Sequence, residues 1–92
     1  MLYMAFFTTK PNHGDLGTKN EAWWNGGERP DGLRTVGIFG TLSTNSPDVY
    51  IFEADGVEDI HKLTSHWQEF DFEIHPAVDL AGIYRQQGMK VD

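Results

Sequence analysis

The sequence contains no cysteine. Disulfide bonds, thiol nucleophiles and thiolate metal sites are therefore excluded, and a small disulfide-free domain is typical of the cytoplasm. Basic residues are also scarce, because seven lysines and arginines stand against fourteen acidic residues and give a formal net charge of −7. A chain of this charge, without a run of basic residues, is not expected to bind nucleic acid or an anionic membrane surface.

Long hydrophobic stretches are missing as well. The most apolar run, LYMAFF at residues 2–7, is too short for a signal-peptide core or a membrane span. This run is apolar at both alternating sets of positions, which predicts a strand in the middle of a sheet. The 92 residues, 39% of them hydrophobic and 13% aromatic, predict one globular domain with a single modest core.

Hydrophobic periodicity predicts four strands and two helices in the order β-α-β-β-α-β. The strands are expected at residues 2–8, 33–42, 48–53 and 70–78, and a weak helix at residues 15–25. A second helix is expected to begin after Asp55 as N-cap, with Glu58 reaching back in a capping box. Its apolar stripe recurs at spacings of three and four: Val57, Ile60, Leu63, Trp67 and Phe70.

This order predicts an α+β, ferredoxin-like sandwich with an antiparallel four-stranded sheet. Strands one and three are expected at the centre, and right-handed crossovers place both helices on one face. The other face would then be an uncovered, partly aromatic surface, which a second copy of the chain could close. We assign residues 1–79 to this domain and residues 80–92 to a C-terminal tail with a short turn near Ile83.

Two motifs resemble a known family. They are PDGLR at residues 30–34, ahead of a strand that contains Gly37, and Trp67 followed by FDFEIHPAV at residues 70–78. Together they resemble a family of small bacterial proteins of unknown function within the dimeric α/β-barrel superfamily. The resemblance implies a homodimer whose two sheets form a barrel with a central cavity, and it implies no catalytic residues. The wider superfamily includes cofactor-independent monooxygenases, lactone isomerases and haem-handling enzymes.

One polar strand face is a candidate catalytic site. Asp71, Glu73 and His75 alternate with apolar residues, so successive members lie roughly 6.5–7 Å apart on one face of a strand. A histidine beside a carboxylate could act as a general base or proton relay if this face lines a cavity. The alternative interpretation, which we favour, is a charged edge strand that prevents edge-to-edge pairing or forms ion pairs with a dimer partner.

The candidate ligand-binding residues lie on several elements. They are Tyr3, Phe39, Tyr50, Glu53 and Trp24. Neighbouring side chains on a helix diverge by ~100°, so only one of Trp23 and Trp24 can face the core. The other, for which we take Trp24, could cap the cavity or cover the dimer seam. Packing for the two tyrosines and solvation for Glu53 are the alternatives.

No metal site or cofactor is predicted. His61 and His66 are five residues apart, about 140° around a helix, so they cannot chelate one ion together. The glycines match neither a phosphate-binding loop nor a dinucleotide fingerprint.

Three functions are left open by the sequence. The first is a homodimeric binder of a small apolar or aromatic ligand in the barrel cavity. The second is a cofactor-independent monooxygenase or isomerase that uses His75 with Glu73 or Asp71. The third is a purely structural or interaction dimer, so the sequence does not decide whether the chain is an enzyme.

Overall fold

A computed structural model describes residues 1–92. The elements along the chain are β1 (Leu2–Thr9), α1 (Gly17–Trp24), β2 (Leu33–Phe39), β3 (Asp48–Ala54), α2 (Val57–His66), β4 (Phe70–Pro76) and α3 (Leu80–Gln86). The strands form one antiparallel sheet in the order β2-β3-β1-β4. The predicted ferredoxin-like fold is therefore confirmed, with strands one and three at the centre. None of the helices is long and apolar enough to cross a bilayer.

The core lies between one face of the sheet and helices α1 and α2. Alternation along the central strands points Ala5, Tyr50 and Phe52 toward the helices. The helical side meets them with Trp23, Leu63 and Trp67, all at most 6% exposed. As expected, only one of the tandem tryptophans enters the core, because Trp24 is 37% exposed while Trp23 is 1% exposed.

The start of α2 differs from the prediction. Gly56, and not Asp55, is the N-cap residue, and its backbone N–H donates to the Asp59 carboxylate at 3.2 Å. The Asp55 carboxylate instead accepts a hydrogen bond from Arg34 of β2 at 3.0 Å. Val57 is the first residue of the helix and, although expected in the apolar stripe, is 76% exposed.

Two strands end earlier than predicted. β2 stops at Phe39, which pairs with Val49, and the Thr41 N–H then donates to the Asp48 side chain at 2.9 Å, which starts the turn. β4 stops at Pro76, which has no N–H to donate and lies on an edge strand, where proline is tolerated.

Strand β2 contains a β-bulge between Thr35 and Gly37. On the near side of the bulge, Thr35 faces the helices, where its hydroxyl contacts that of Tyr50 at 2.7 Å. Because of the extra residue, each side chain after the bulge points to the face opposite to the one that simple alternation along β2 would give. Ile38, paired with Tyr50, therefore faces the helices, and Phe39, paired with Val49, faces the opposite side.

The C-terminal segment forms a third helix where only a short turn was expected. The Asp79 carboxylate caps α3 by accepting the Gly82 N–H at 3.0 Å. No residue of α3 is buried, and Leu80, Ile83 and Tyr84 are 39–53% exposed. The radius of gyration is 15.0 Å, against about 12 Å for a compact domain of this length. The helix is thus not packed into the core.

Candidate functional site

One face of the sheet is not covered by α1 or α2, and we call it the open face. Strand alternation places seven apolar side chains there: Leu2, Met4 and Phe6 of β1, Val36 and Phe39 of β2, and Val49 and Ile51 of β3. Val36 and Phe39 are 61% and 60% exposed. A contiguous apolar surface of this kind marks an interaction or ligand site more often than a solvated surface.

The open face is concave on one side. A groove of about 490 Å³ runs between the sheet and the segment that leads into α3. Its lining comprises Leu2, Met4, Val36, Ile51, Glu53 and residues 77–80. Within this lining, the Glu53 carboxylate pairs with the Arg34 guanidinium at 3.4 Å. The volume falls within the range of small-molecule sites.

The polar side chains of β4 also lie on the open face. His75 Nε2 is 3.2 Å from Glu73 Oε1, and the His75 ring meets Phe6 edge-on at 6.3 Å. Asp71 lies 3.8 Å from Lys10 and lines a shallow depression together with Glu73, but only Glu73 and His75 are in direct contact. The structure therefore brings together two of the three predicted catalytic residues. Both are more than half exposed, so within one copy the pair faces water and is not enclosed with a ligand.

A second cavity lies on the helix side of the sheet, and we call it the aromatic pocket. It measures about 60 Å³ and is lined by Phe7, Asn20, Trp23, Trp24, Ile38, Tyr50, Leu63, Trp67, Phe70 and Phe72. Burial raises the pKa of Tyr50, while the hydrogen bond with Thr35, the positive charge of Arg29 and the interaction with the Trp23 indole N–H oppose this rise. Trp24 packs edge-on against Tyr50 at 6.2 Å, under the Arg29 guanidinium.

The five predicted ligand-binding residues do not gather at one site. Tyr50 and Trp24 line the aromatic pocket, whereas Phe39 and Glu53 lie on the open face. Tyr3 lines neither site and stacks on Phe52 in the core at 5.6 Å. The five residues therefore do not form one ligand-binding site, because they are divided between the two faces of the sheet and the core.

Several site residues were missed by the sequence reasoning. Met4, Phe6 and Val36 of the open face were not singled out, nor was Trp23 as a pocket residue. Gly37 was a usable signal, because a glycine inside a strand often marks a bulge.

The histidines do not form a metal centre. No three histidine or acidic side chains lie close enough together to hold an ion. His66 is held between α1 and α2, where its Nε2 is 3.1 Å from the Lys19 carbonyl and its ring lies 4.9 Å from that of Trp23. His61 contacts Ser65 on the surface of α2.

Fold and site together define a small ferredoxin-like α+β domain with one uncovered, largely apolar sheet face. The chain belongs to the family described as domain of unknown function (DUF3303), whose model matches residues 1–85. The match includes β1 to β4 and most of α3. No curated protein and no solved structure matches the chain.

Proposed function

We propose that the protein is a homodimer in which two open faces meet as a barrel, and that the chamber between them binds a small apolar or aromatic molecule. The observation that carries the proposal is the groove in the open face. A flat apolar face would favour a dry interface, but a concavity of about 490 Å³ on each copy would leave space between two sheets. Its apolar lining favours a ligand of the same character.

A second copy is the occupant that the chain's own surfaces favour. The open face combines apolar side chains on β1 to β3 with Glu73 and His75 on β4, so it offers both a hydrophobic centre and a polar margin, as protein interfaces do. Helix α3 carries Leu80, Ile83 and Tyr84, which stay 39–53% exposed within one copy. In the proposed dimer these side chains cover the partner's groove.

A matched pair of substitutions tests the dimer. Val36 on the open face and Val57 on α2 are both exposed valines, 61% and 76% exposed. Val36→Asp puts a charge into the proposed interface, where desolvation makes it costly, and is expected to give a monomer. Val57→Asp is expected to remain a dimer. A monomeric parent chain, or a Val36→Asp variant that stays dimeric, would contradict the proposal.

Native mass spectrometry of freshly purified protein tests the chamber. The expected result is a dimer that carries additional small-molecule mass, which is released by mild denaturation and is absent from Val36→Asp. A dimer without added mass, which also takes up no hydrophobic dye such as ANS, would support a purely structural dimer in place of a ligand binder.

The His75–Glu73 contact of 3.2 Å favours an enzyme as the second candidate. In a closed chamber, His75 would accept a proton from the bound molecule while Glu73 orients the ring, as in a cofactor-independent monooxygenase or isomerase. His75→Ala should then preserve folding and dimerisation while it removes turnover. If the variant dissociates or unfolds, the histidine has a structural role and this candidate fails.

A further inference from the structure

The groove of the open face is lined by negative charge and by no positive charge. Seven of its nine lining residues are hydrophobic, and the other two, Glu53 and Asp79, are both acidic. The Asp79 carboxylate is occupied by the start of α3, where it accepts the Gly82 N–H at 3.0 Å. Glu53, whose side chain is 48% exposed, is thus the lining carboxylate that a bound molecule can contact.

The Arg34 guanidinium does not neutralise Glu53, because two carboxylates share it. Its Nη2 lies 3.0 Å from Asp55 Oδ1 and 3.4 Å from Glu53 Oε2, so the shorter contact is the one with Asp55. The hydrogen bond with Asp55 is also the main cause that raises the pKa of Arg34, and it lowers the pKa of Asp55. One positive charge therefore faces two negative charges, and the long contact with Arg34 is the one hydrogen bond that the Glu53 carboxylate accepts.

Closure of the proposed dimer would make this uncompensated charge costly. A carboxylate that is taken out of water destabilises the closed state unless a positive charge or a hydrogen-bond donor accompanies it. The side chains that line the groove supply no cation, because all of them are apolar or acidic. A cation on the ligand would therefore be the missing partner of Glu53.

We propose that Glu53 selects the ligand of this chamber, an inference that rests on the proposed function, and that the ligand is an apolar molecule carrying one protonated amine. The ammonium group donates to the Glu53 carboxylate, and the apolar body lies against Met4, Val36 and Ile51 of the same groove. A charge-assisted hydrogen bond of this kind is stronger than a neutral one. A ligand with a carboxylate is excluded, because its charge would lie beside those of Glu53 and Asp79.

Three probes of similar size separate the charge from simple burial. They are 2-phenylethylamine, a cation at neutral pH, 2-phenylethanol, which is neutral, and phenylacetate, an anion. Ile51 and Glu53 are successive residues on one face of β3, roughly 6.5–7 Å apart, so a ring and an amine two carbons apart can contact both. In ¹H–¹⁵N titrations of the whole protein at physiological ionic strength, the amine is expected to bind about fivefold more tightly than the alcohol, and phenylacetate is expected to cause no saturable shift.

Glu53→Gln removes the charge while it keeps the size of the side chain, so the preference for the amine should disappear and 2-phenylethanol should still bind. The net charge of −7 attracts any cation weakly, so a control for this general effect is needed. Glu58→Gln makes the same change at an exposed position of α2 and should keep the preference. Asp55→Asn is a second test, because the released Arg34 guanidinium can then pair with Glu53 and the preference should weaken.

Native mass spectrometry of the same samples keeps the selectivity of Glu53 and the dimer apart. A dimeric parent chain that binds the amine and the alcohol equally would overturn the inference and leave the apolar chamber standing. A parent chain that does not bind the amine, or an amine preference that survives in Glu53→Gln, would also overturn it. A monomeric parent chain that prefers the amine through Glu53 would contradict the dimer while it supports the selectivity of the groove.

Discussion

Leu63→Ala is the most informative single test of how the helices are held on the sheet. Leu63 is 1% exposed and is the only fully buried residue of α2. Buried Leu→Ala changes cost about 2–5 kcal/mol, depending on how far the site can collapse. Because Leu63 already borders the aromatic pocket, some of its surroundings are empty and fewer contacts are lost. We therefore expect a loss of about 3 kcal/mol in the free energy of unfolding.

The assay is urea unfolding followed by tryptophan fluorescence, since Trp23 and Trp67 both lie in the core. For a domain of this size the loss corresponds to a decrease of about 12–24 °C in Tm. Val57→Ala, on the same helix but 76% exposed, is the control and should change stability by less than about 0.5 kcal/mol. All variants are compared at one protein concentration, because a dimer's stability depends on it. Similar losses in the free energy of unfolding for Leu63→Ala and Val57→Ala would refute the packing of α2 on the sheet.

Two further predictions concern α2 and its link to α1. Asp59→Ala removes the carboxylate that accepts the Gly56 N–H, so it should cost about 1 kcal/mol in urea unfolding, whereas Asp55→Ala, outside the cap, should cost less. The Lys19 ammonium donates to Glu69 at 2.9 Å and lowers the pKa of that carboxyl. The ionised carboxylate therefore stabilises the fold above its ordinary pKa, and this contribution is lost as the pH falls through the lowered value. Glu69→Gln should be less stable than the parent at neutral pH and equally stable in acid; a pH-independent difference would contradict this assignment.

Element order and sheet topology were predictable because they depend on signals that act locally. The alternation at residues 70–76 gives an edge strand with Phe70, Phe72 and Ile74 inward, as the structure has it. The stripe of α2 likewise predicts contacts for Ile60, Leu63 and Trp67. The position of the cap was not predictable in the same way. Asp55 suits an N-cap by residue type, but in the fold its carboxylate bonds to Arg34 of another strand, and Gly56 takes the N-cap position.

The candidate site was predictable only in part, for a related reason. Placing Tyr50 and Phe39 at one site requires knowing which face each occupies, and parity along β2 changes at the bulge. Simple alternation from Leu33 would send Phe39 toward the helices and Ile38 away from them. The bulge reverses both. A one-residue irregularity therefore decides which side chains line which cavity, and the sequence marks it only by a glycine.

The same strands thus carry two candidate sites on opposite faces. In β3, Tyr50 borders the aromatic pocket, and its neighbour Ile51 borders the groove of the open face. The two cavities share no lining residue, which is why substitutions can address them separately. Strand β2 contributes to both, with Ile38 in the aromatic pocket and Val36 in the groove. Phe39 covers Gly37 so closely that a Cβ at residue 37 would lie 2.7 Å from its ring, so any larger residue there must displace Phe39 on the open face. If the bulge straightened in response, Ile38 would leave the aromatic pocket, and one substitution would then alter both cavities.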